Sequence, residues 1–340
     1  MQIKKIWNEI KTTIKEEYKF IIGLFILYII LQFPLNYYIV TGGGISDISS
    51  RIDVEEKNSS KGSFNISYVV ERKGTILTYG LSYLIPSWER ESVDNYKFTE
   101  EDSIEDIEFR SDLDLKTANG QAIYWAYTLA GKEVNLINEN LYVILTFKEY
   151  ETPLKVQDRI ISMDGNSYHS LKEYKDYIQT KEKGSTIKVL VDRKGKELEL
   201  DVPVYEEKGI SIIGIALQYV KEYETKPDVD IHFRRSESGP SGGLITTLEI
   251  YNQLTKKDLT KGYKIAGTGT IEPDGTIGEI GGIEYKILGA DRAKADYFLV
   301  PKENYKDAKK YKEEKKLKIK LIEVKTIEDA IEKLEKIKWE

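Results

Sequence analysis

"SESGPSGGLITTLEIYNQL" (Ser236–Leu254) decides how the rest of the chain is read. Gly239 and Pro240 punctuate a tight turn, small residues surround Ser241, and an apolar-periodic run follows at once. Leu244, Leu248, Tyr251 and Leu254 fall on one face of a helix beginning there. A serine at a turn ahead of a helix N-terminus raises the question of its base, because the chain has two histidines and no cysteine.

The absence of cysteine excludes a thiol nucleophile, a disulfide framework and any zinc site built on thiolates, and says little about compartment. His169 and His232 are far apart and have no partners at metal-ligand spacing, so neither a metal nor a cofactor is expected. His232 lies in "VDIHF", where a pendant strand histidine competes with a role as general base. No phosphate-binding G-x-x-x-x-G-K-[ST] occurs, and "GTGTIEPDG" has Glu272 where a dinucleotide fingerprint needs its third glycine.

The remaining base is lysine. A free lysine titrates near ~10.4, so it must be held in an apolar, close-packed site before it is neutral enough to accept a proton. Most lysines here lie in polar runs. Lys286, in "GGIEYKILGA", is flanked by Ile283, Ile287 and Leu288. On local pattern alone, a helix lysine that snorkels to solvent is the competing reading.

Farther out, 340 residues with 40% hydrophobic and 32% charged side chains describe two to three globular units. A net charge of -6 leaves no basic footprint for nucleic acid. The N-terminus carries five lysines against three glutamates, then no charge between Lys19 and Asp47. Residues 20–40 are therefore expected to be a transmembrane helix, with residues 1–19 as a cytoplasmic tail and the body outside the cell. A cleaved signal peptide is the rival reading, disfavoured by the length of the apolar run and the lack of an A-x-A site.

Residues 41–138 read as an α/β region. "FNISYVV" and "TILTYGLSYLI" are expected strands, "TEEDSIEDIEFRSDLD" a solvated loop or helix face, and "TANGQAIYWAYTLAG" a helix ending at Gly131. Residues 139–207 give strand, strand closed by Asp-Gly, amphipathic helix, then a hairpin at "RKGK". This order resembles a bacterial protease-associated PDZ domain. Its G-D-x-I signature appears as Gln157-Asp158-Arg159-Ile160, with glutamine for glycine, and no carboxylate-binding loop precedes "LYVIL". The resemblance implies peptide binding by β-augmentation, against a module that only orients its neighbour. From residue 208 onward strands and helices alternate. "ISIIGIALQYV", "VDIHFRR", "YKIAGTGTI", "YFLVP" and "LKIKLIEV" are the expected strands, and Thr326 with Asp329 starts the last helix.

"GPSGGL", "IAGTGTIEPDGTIGEIGGIEYK" and "FLVPKENYKD", in this order and at these separations, resemble the proteolytic domain of the Lon family over residues 209–340. The resemblance implies a Lon-type, ribosomal-S5-domain-2-like α/β domain over 208–340. It makes Ser241 the nucleophile and Lys286 the base, with Thr268 hydrogen-bonding the lysine amine. The backbone at Ser241 or Gly242 is the expected oxyanion donor, and Gly242 stands where many members have alanine. The full order is similar to the membrane-anchored PDZ–Lon peptidases of Gram-positive bacteria. The chain is thus expected to be α+β: a transmembrane helix, a PDZ-like β-rich module and the Lon-type domain. The implied activity is ATP-independent cleavage of extended peptides or protein tails by a Ser-Lys dyad. Oligomerisation is expected without a number. A catalytically silent peptide-binding scaffold and a Ser-His hydrolase using His232 are the alternatives.

Overall fold

The computed structural model of the chain describes residues 2–55, 57–85, 87–234 and 237–339. The first helix, α1 (Gln2–Leu31), ends short of the expected span. Pro34 has no N–H to donate and restricts the residue before it, so the chain turns at Gln32–Phe33 and continues as a strand, β1 (Pro34–Asp47). The expected transmembrane helix over residues 20–40 is corrected accordingly: only Phe20–Leu31 is helical, and Pro34–Val40 is strand. No helix among the described residues is long and apolar enough to cross a membrane.

Strands β2 (Ile52–Val54) and β3 (Ser63–Thr75) follow, then a short helix, α2 (Ile76–Leu81), and strand β4 (Trp88–Ser92). "TILTYGL", expected as a strand from its β-branched and aromatic content, is helical from Ile76. Thr75 and Thr78 form a reciprocal capping box that satisfies the first N–H groups. The long helix α3 (Ile104–Ala130) takes in the acidic run, opening on a Ser103–Asp106 capping box and closing at Gly131 with φ 63°.

The chain divides into two compact units. Residues 1–42 and 69–97 form the first, and residues 43–68 and 98–340 form the second. In the first, β1 pairs antiparallel with β4 from Tyr37↔Ser92 to Thr41↔Trp88. Tyr37, Tyr79 and Tyr83 pack ring against ring, with the Arg90 guanidinium 4.0 Å from the centre of the Tyr83 ring.

The second unit holds a smaller and a larger core, the larger accompanied by a further apolar cluster under the helix Ile283–Arg292. The smaller is a five-stranded antiparallel sheet with one helix. It is built from β5 (Glu133–Thr146), β6 (Arg159–Met163), α4 (Leu171–Gln179), β7 (Thr186–Arg193) and β8 (Lys196–Pro203). A small hairpin, β9 (Tyr205–Glu207) and β10 (Ile210–Ile212), leads to β11 (Ile215–Lys226), and the order β11-β5-β6-β7-β8 leaves β11 on an edge. Leu141, Val143, Ile160, Met163, Tyr174, Val189 and Val191 are among the side chains filling this core. Both turns read from the sequence form with positive φ at two residues, Asp164-Gly165 and Lys194-Gly195. Gln157 stands at φ 80°, where the family signature has glycine, and its side chain donates to Asp106 on α3 at 3.1 Å. Asp158 is fully buried and takes a two-point ion pair from Arg193, with both contacts at 2.7 Å.

The larger core uses strand β12 (Val229–Ile231), helix α5 (Gly243–Leu254), strands β13 (Lys264–Gly267), β14 (Thr270–Ile271) and β15 (Ile277–Gly278), and helix α6 (Ile283–Arg292). Strand β16 (Tyr297–Pro301), helix α7 (Lys302–Lys315), strand β17 (Lys320–Val324) and helix α8 (Ile327–Glu335) complete it. Strand β13 lies between β16 and β3, parallel to both. Segments far upstream therefore belong to this core. Ile48, Ile52, Val54 and Phe64, with Ala122, Ala126 and Tyr127 of α3, pack with Leu244, Ile245 and Leu248 of α5. With neighbours on every side, α5 is buried along its whole length. Its one-sided sequence pattern understates this.

Candidate active site

The turn read from the sequence is present. Gly239 has φ 81°, and its N–H is held by the Ser111 carbonyl of α3 at 3.0 Å. Ser241 is half-buried, immediately before Gly242, the N-cap of α5. Its carbonyl accepts two hydrogen bonds from the strand break between β13 and β14, from Gly269 N–H at 2.8 Å and Thr268 Oγ1 at 3.1 Å. The Leu244 N–H returns a bond to the Gly269 carbonyl at 3.1 Å. The expected strand "YKIAGTGTI" is broken here because Gly269 sits at φ 153°, a conformation that leaves the ladder and frees its groups to hold the turn. A Cβ at Gly269 would lie 2.5 Å from Ile277 Cγ2, so no larger residue fits.

Lys286 lies in the first turn of α6, which Gly282 opens with φ 67°. Only 4% of Lys286 is exposed, between Ile283 and Ile287 of the apolar layer under α6. It does not snorkel. Its Nζ donates to Thr268 Oγ1 at 3.2 Å, and Thr268 is fully buried. Lys286 and the Ser241 main chain thus meet at one hydroxyl, which accepts from the amine and donates to the Ser241 carbonyl. Burial in general disfavours the charged form of an amine. A neutral amine that donates one N–H to Thr268 still has a lone pair with which to accept a proton.

Among the described residues, the N–H groups of Gly243 and Leu244 are taken by Pro240 and Gly269 carbonyls, and no carbonyl accepts those of Ser241 or Gly242. The latter two lie at the N-terminal end of α5, where the helix dipole favours negative charge. A Cβ at Gly242 would lie 2.9 Å from Ile66 Cδ1 of β3, which gives the glycine a physical reason here. His232 falls after β12, in a loop, with its side chain exposed; His169 is exposed on the smaller core. No group of histidines and carboxylates among the described residues could hold a metal ion.

Sequence reasoning missed the backbone supports at Gly269 and Ser111, which no residue type signals. It also missed the loop Ile212–Ile215. The expected strand "ISIIGIALQYV" is divided: Ile212 closes β10 and Ile215 opens β11, with Ile213-Gly214 between them. Gly214 has φ 70°, and a Cβ there would meet Tyr150 Cβ at 2.6 Å. A cavity of about 370 Å³ beside it is lined by Phe147, Tyr150, Ile212 and Ile215, with Glu149 and Glu207.

Two segments of the chain match known domains, one of a protease and one a PDZ domain. Residues 209–336 match the Lon protease (S16) C-terminal proteolytic domain, and residues 143–204 match the PDZ domain. The chain is 29% identical over 163 residues to the Lon protease of Mycoplasma mycoides subsp. mycoides, covering 41% of this chain and 20% of that protein. It is 33% identical over 107 residues to the Lon protease of Clostridium beijerinckii, covering 31% and 13%. The chain thus spans a fifth or less of the length of these two relatives. Among solved structures, the PDZ domain of the SdrC-like protein of Listeria monocytogenes is 30% identical, covering 24% of this chain and 92% of that one, with a TM-score of 0.22.

Proposed function

We propose that the chain is a membrane-tethered, ATP-independent serine endopeptidase that cleaves extended peptide segments outside the cytoplasm. The observation that carries the reading is the buried contact of Lys286 with Thr268, whose hydroxyl also bonds the Ser241 carbonyl. In the proposed reaction the neutral Lys286 amine accepts the Ser241 Oγ proton as Oγ attacks the scissile carbonyl. The developing oxyanion is met by the N–H groups of Ser241 and Gly242 at the start of α5. The tetrahedral intermediate then collapses, Lys286 returns the proton to the leaving amine, and Ser241 is left as an ester. Water hydrolyses the ester, with Lys286 again as base.

Tethering is proposed through the apolar end of α1, supported by the exposure of Phe20, Phe25 and Tyr28 at 65%, 62% and 59%. The lysines before it put the N-terminus on the cytoplasmic side by the positive-inside rule. Peptide capture is proposed at the start of β11 beside Ile213–Gly214, because farther along, α3 lies against the strand, with Thr117 Oγ1 on the Tyr219 carbonyl.

The test is cleavage of an unfolded casein-like chain, with and without ATP, by the parent and by Ser241→Ala, Lys286→Ala and His232→Ala. The reading requires ATP-independent cleavage, lost in the first two variants and kept in the third. If Ser241→Ala and Lys286→Ala match the parent, the dyad is wrong. A parent that cleaves nothing favours the silent scaffold.

A further inference from the structure

Nine residues lie between the end of β12 and the nucleophile, and the segment Ser46–Val54 contacts His232, Glu237 and the strand before them. Strands β2 and β12 pair antiparallel from Ile52↔Ile231 to Val54↔Val229. One residue beyond the ladder, the Arg51 carbonyl accepts the His232 N–H at 2.8 Å. The Arg51 side chain then reaches along the same loop. Its Nη1 pairs with Glu237 Oε1, and its Nη2 donates to Ser46 Oγ at 2.7 Å. The second Glu237 oxygen accepts the Arg234 N–H at 2.9 Å. Two residues further on, Gly239 is fixed by Ser111.

The side chains of Arg51 and Glu237 are 12% and 29% exposed, so solvent screens this pair less than an ion pair on the open surface. The guanidinium is held at two of its nitrogens, one by Glu237 and one by Ser46, which fixes its direction as well as its distance. Glu237 is four residues from Ser241, and no element of regular structure lies between them. Where Glu237 is held therefore bears directly on where Ser241 Oγ stands relative to the Lys286 amine.

We infer that Arg51 is a positioning residue for the Ser241 nucleophile, acting through Glu237, so that the segment Ser46–Val54 sets the competence of the site. The inference rests on the dyad reading above. An attacking atom displaced by about 1 Å can cost on the order of a hundredfold in rate. Loosening the clamp should therefore lower kcat while leaving KM for a short peptide nearly unchanged, because Arg51 acts on the position of the attacking atom.

The experiment measures kcat and KM on a short fluorogenic peptide for the parent, Ser241→Ala, Arg51→Met, Glu237→Gln and the charge-swapped Arg51→Glu/Glu237→Arg. Thermal melting is recorded for each. The expected result is a fall in kcat of about ten- to a hundredfold in both single variants, with KM within about twofold and melting retained. The swapped pair should recover at least part of the lost kcat, and a fall in kcat at retained melting and KM is what a merely structural role would not produce. Should Arg51→Met fail to fold, the more exposed Glu237→Gln decides alone. Folded Glu237→Gln with parental kcat overturns the inference while the dyad stands. Parental activity in Ser241→Ala overturns the dyad, and the inference with it.

Discussion

Lys286 Nζ donates to Thr268 Oγ1 at 3.2 Å, and both side chains are buried. The contact orients the amine and leaves the hydroxyl proton for the Ser241 carbonyl. Thr268→Val keeps the shape and removes both bonds. It should lower kcat on a short peptide by about ten- to a hundredfold, ~1.4–2.8 kcal/mol of transition-state stabilisation. Thr268→Ser should stay within a few-fold of the parent, and steady-state kinetics on the two variants makes the comparison.

Gly242 and Ile66 are matched in size, since a Cβ at 242 would stand 2.9 Å from Ile66 Cδ1. Gly242→Ala should destabilise the fold by about 1 kcal/mol through overpacking. In an Ile66→Val background the loss should shrink, giving a coupling of about 0.5 kcal/mol or more. Urea denaturation of the four proteins closes the cycle.

Glu249 of α5 is 2% exposed. Its Oε1 accepts from Gln253 at 2.7 Å, and its Oε2 has no hydrogen-bond partner among the described residues. Burial pushes its carboxyl above the usual carboxylate range, with Asp47 and Asp258 adding to the effect. A raised folded pKa means that the folded state holds the proton more tightly than the unfolded chain. Stability is therefore lost as pH rises from the ordinary carboxylate value through the raised one. Glu249→Gln should melt above the parent at pH 8, and the gap should close below about pH 4. A constant gap across that range would contradict the assignment.

Asp158 is buried and satisfied by Arg193 and by the Lys155 N–H at 2.8 Å. Asp158→Ala leaves the guanidinium without its partner and should cost about 3–5 kcal/mol. The damage should be confined to the smaller core, because the larger one shares no buried side chain with it. Hydrogen exchange should show β6 and β7 losing protection while α5 and β13 keep theirs.

What the sequence revealed and what it hid follow from locality. α5, α6, the two hairpins and the Gly131 cap were legible because apolar period, glycine and capping residues act within a few positions. α2 was misread because Thr75–Thr78 capping outweighs β-branched content, and the α1 end because Pro34 interrupts an otherwise continuous apolar run. The pairing of β3 with β13, about 200 residues apart, leaves no periodic trace. The same holds for the Arg51–Glu237 pair. At the site, Ser241 and Lys286 could be named from motif and chemistry. The backbone bonds from Gly269 and Ser111 that hold the turn required coordinates.

The central claim is that Ser241 becomes acylated with Lys286 as its base. Mass spectrometry of the protein mixed with an activated peptide ester tests it most directly. An acyl adduct is expected on the peptide containing Ser241, absent in Ser241→Ala and formed at least about a thousandfold more slowly in Lys286→Met, a factor equal to ~4 kcal/mol. An adduct of equal rate in Lys286→Met, or one on any other residue in Ser241→Ala, would contradict it.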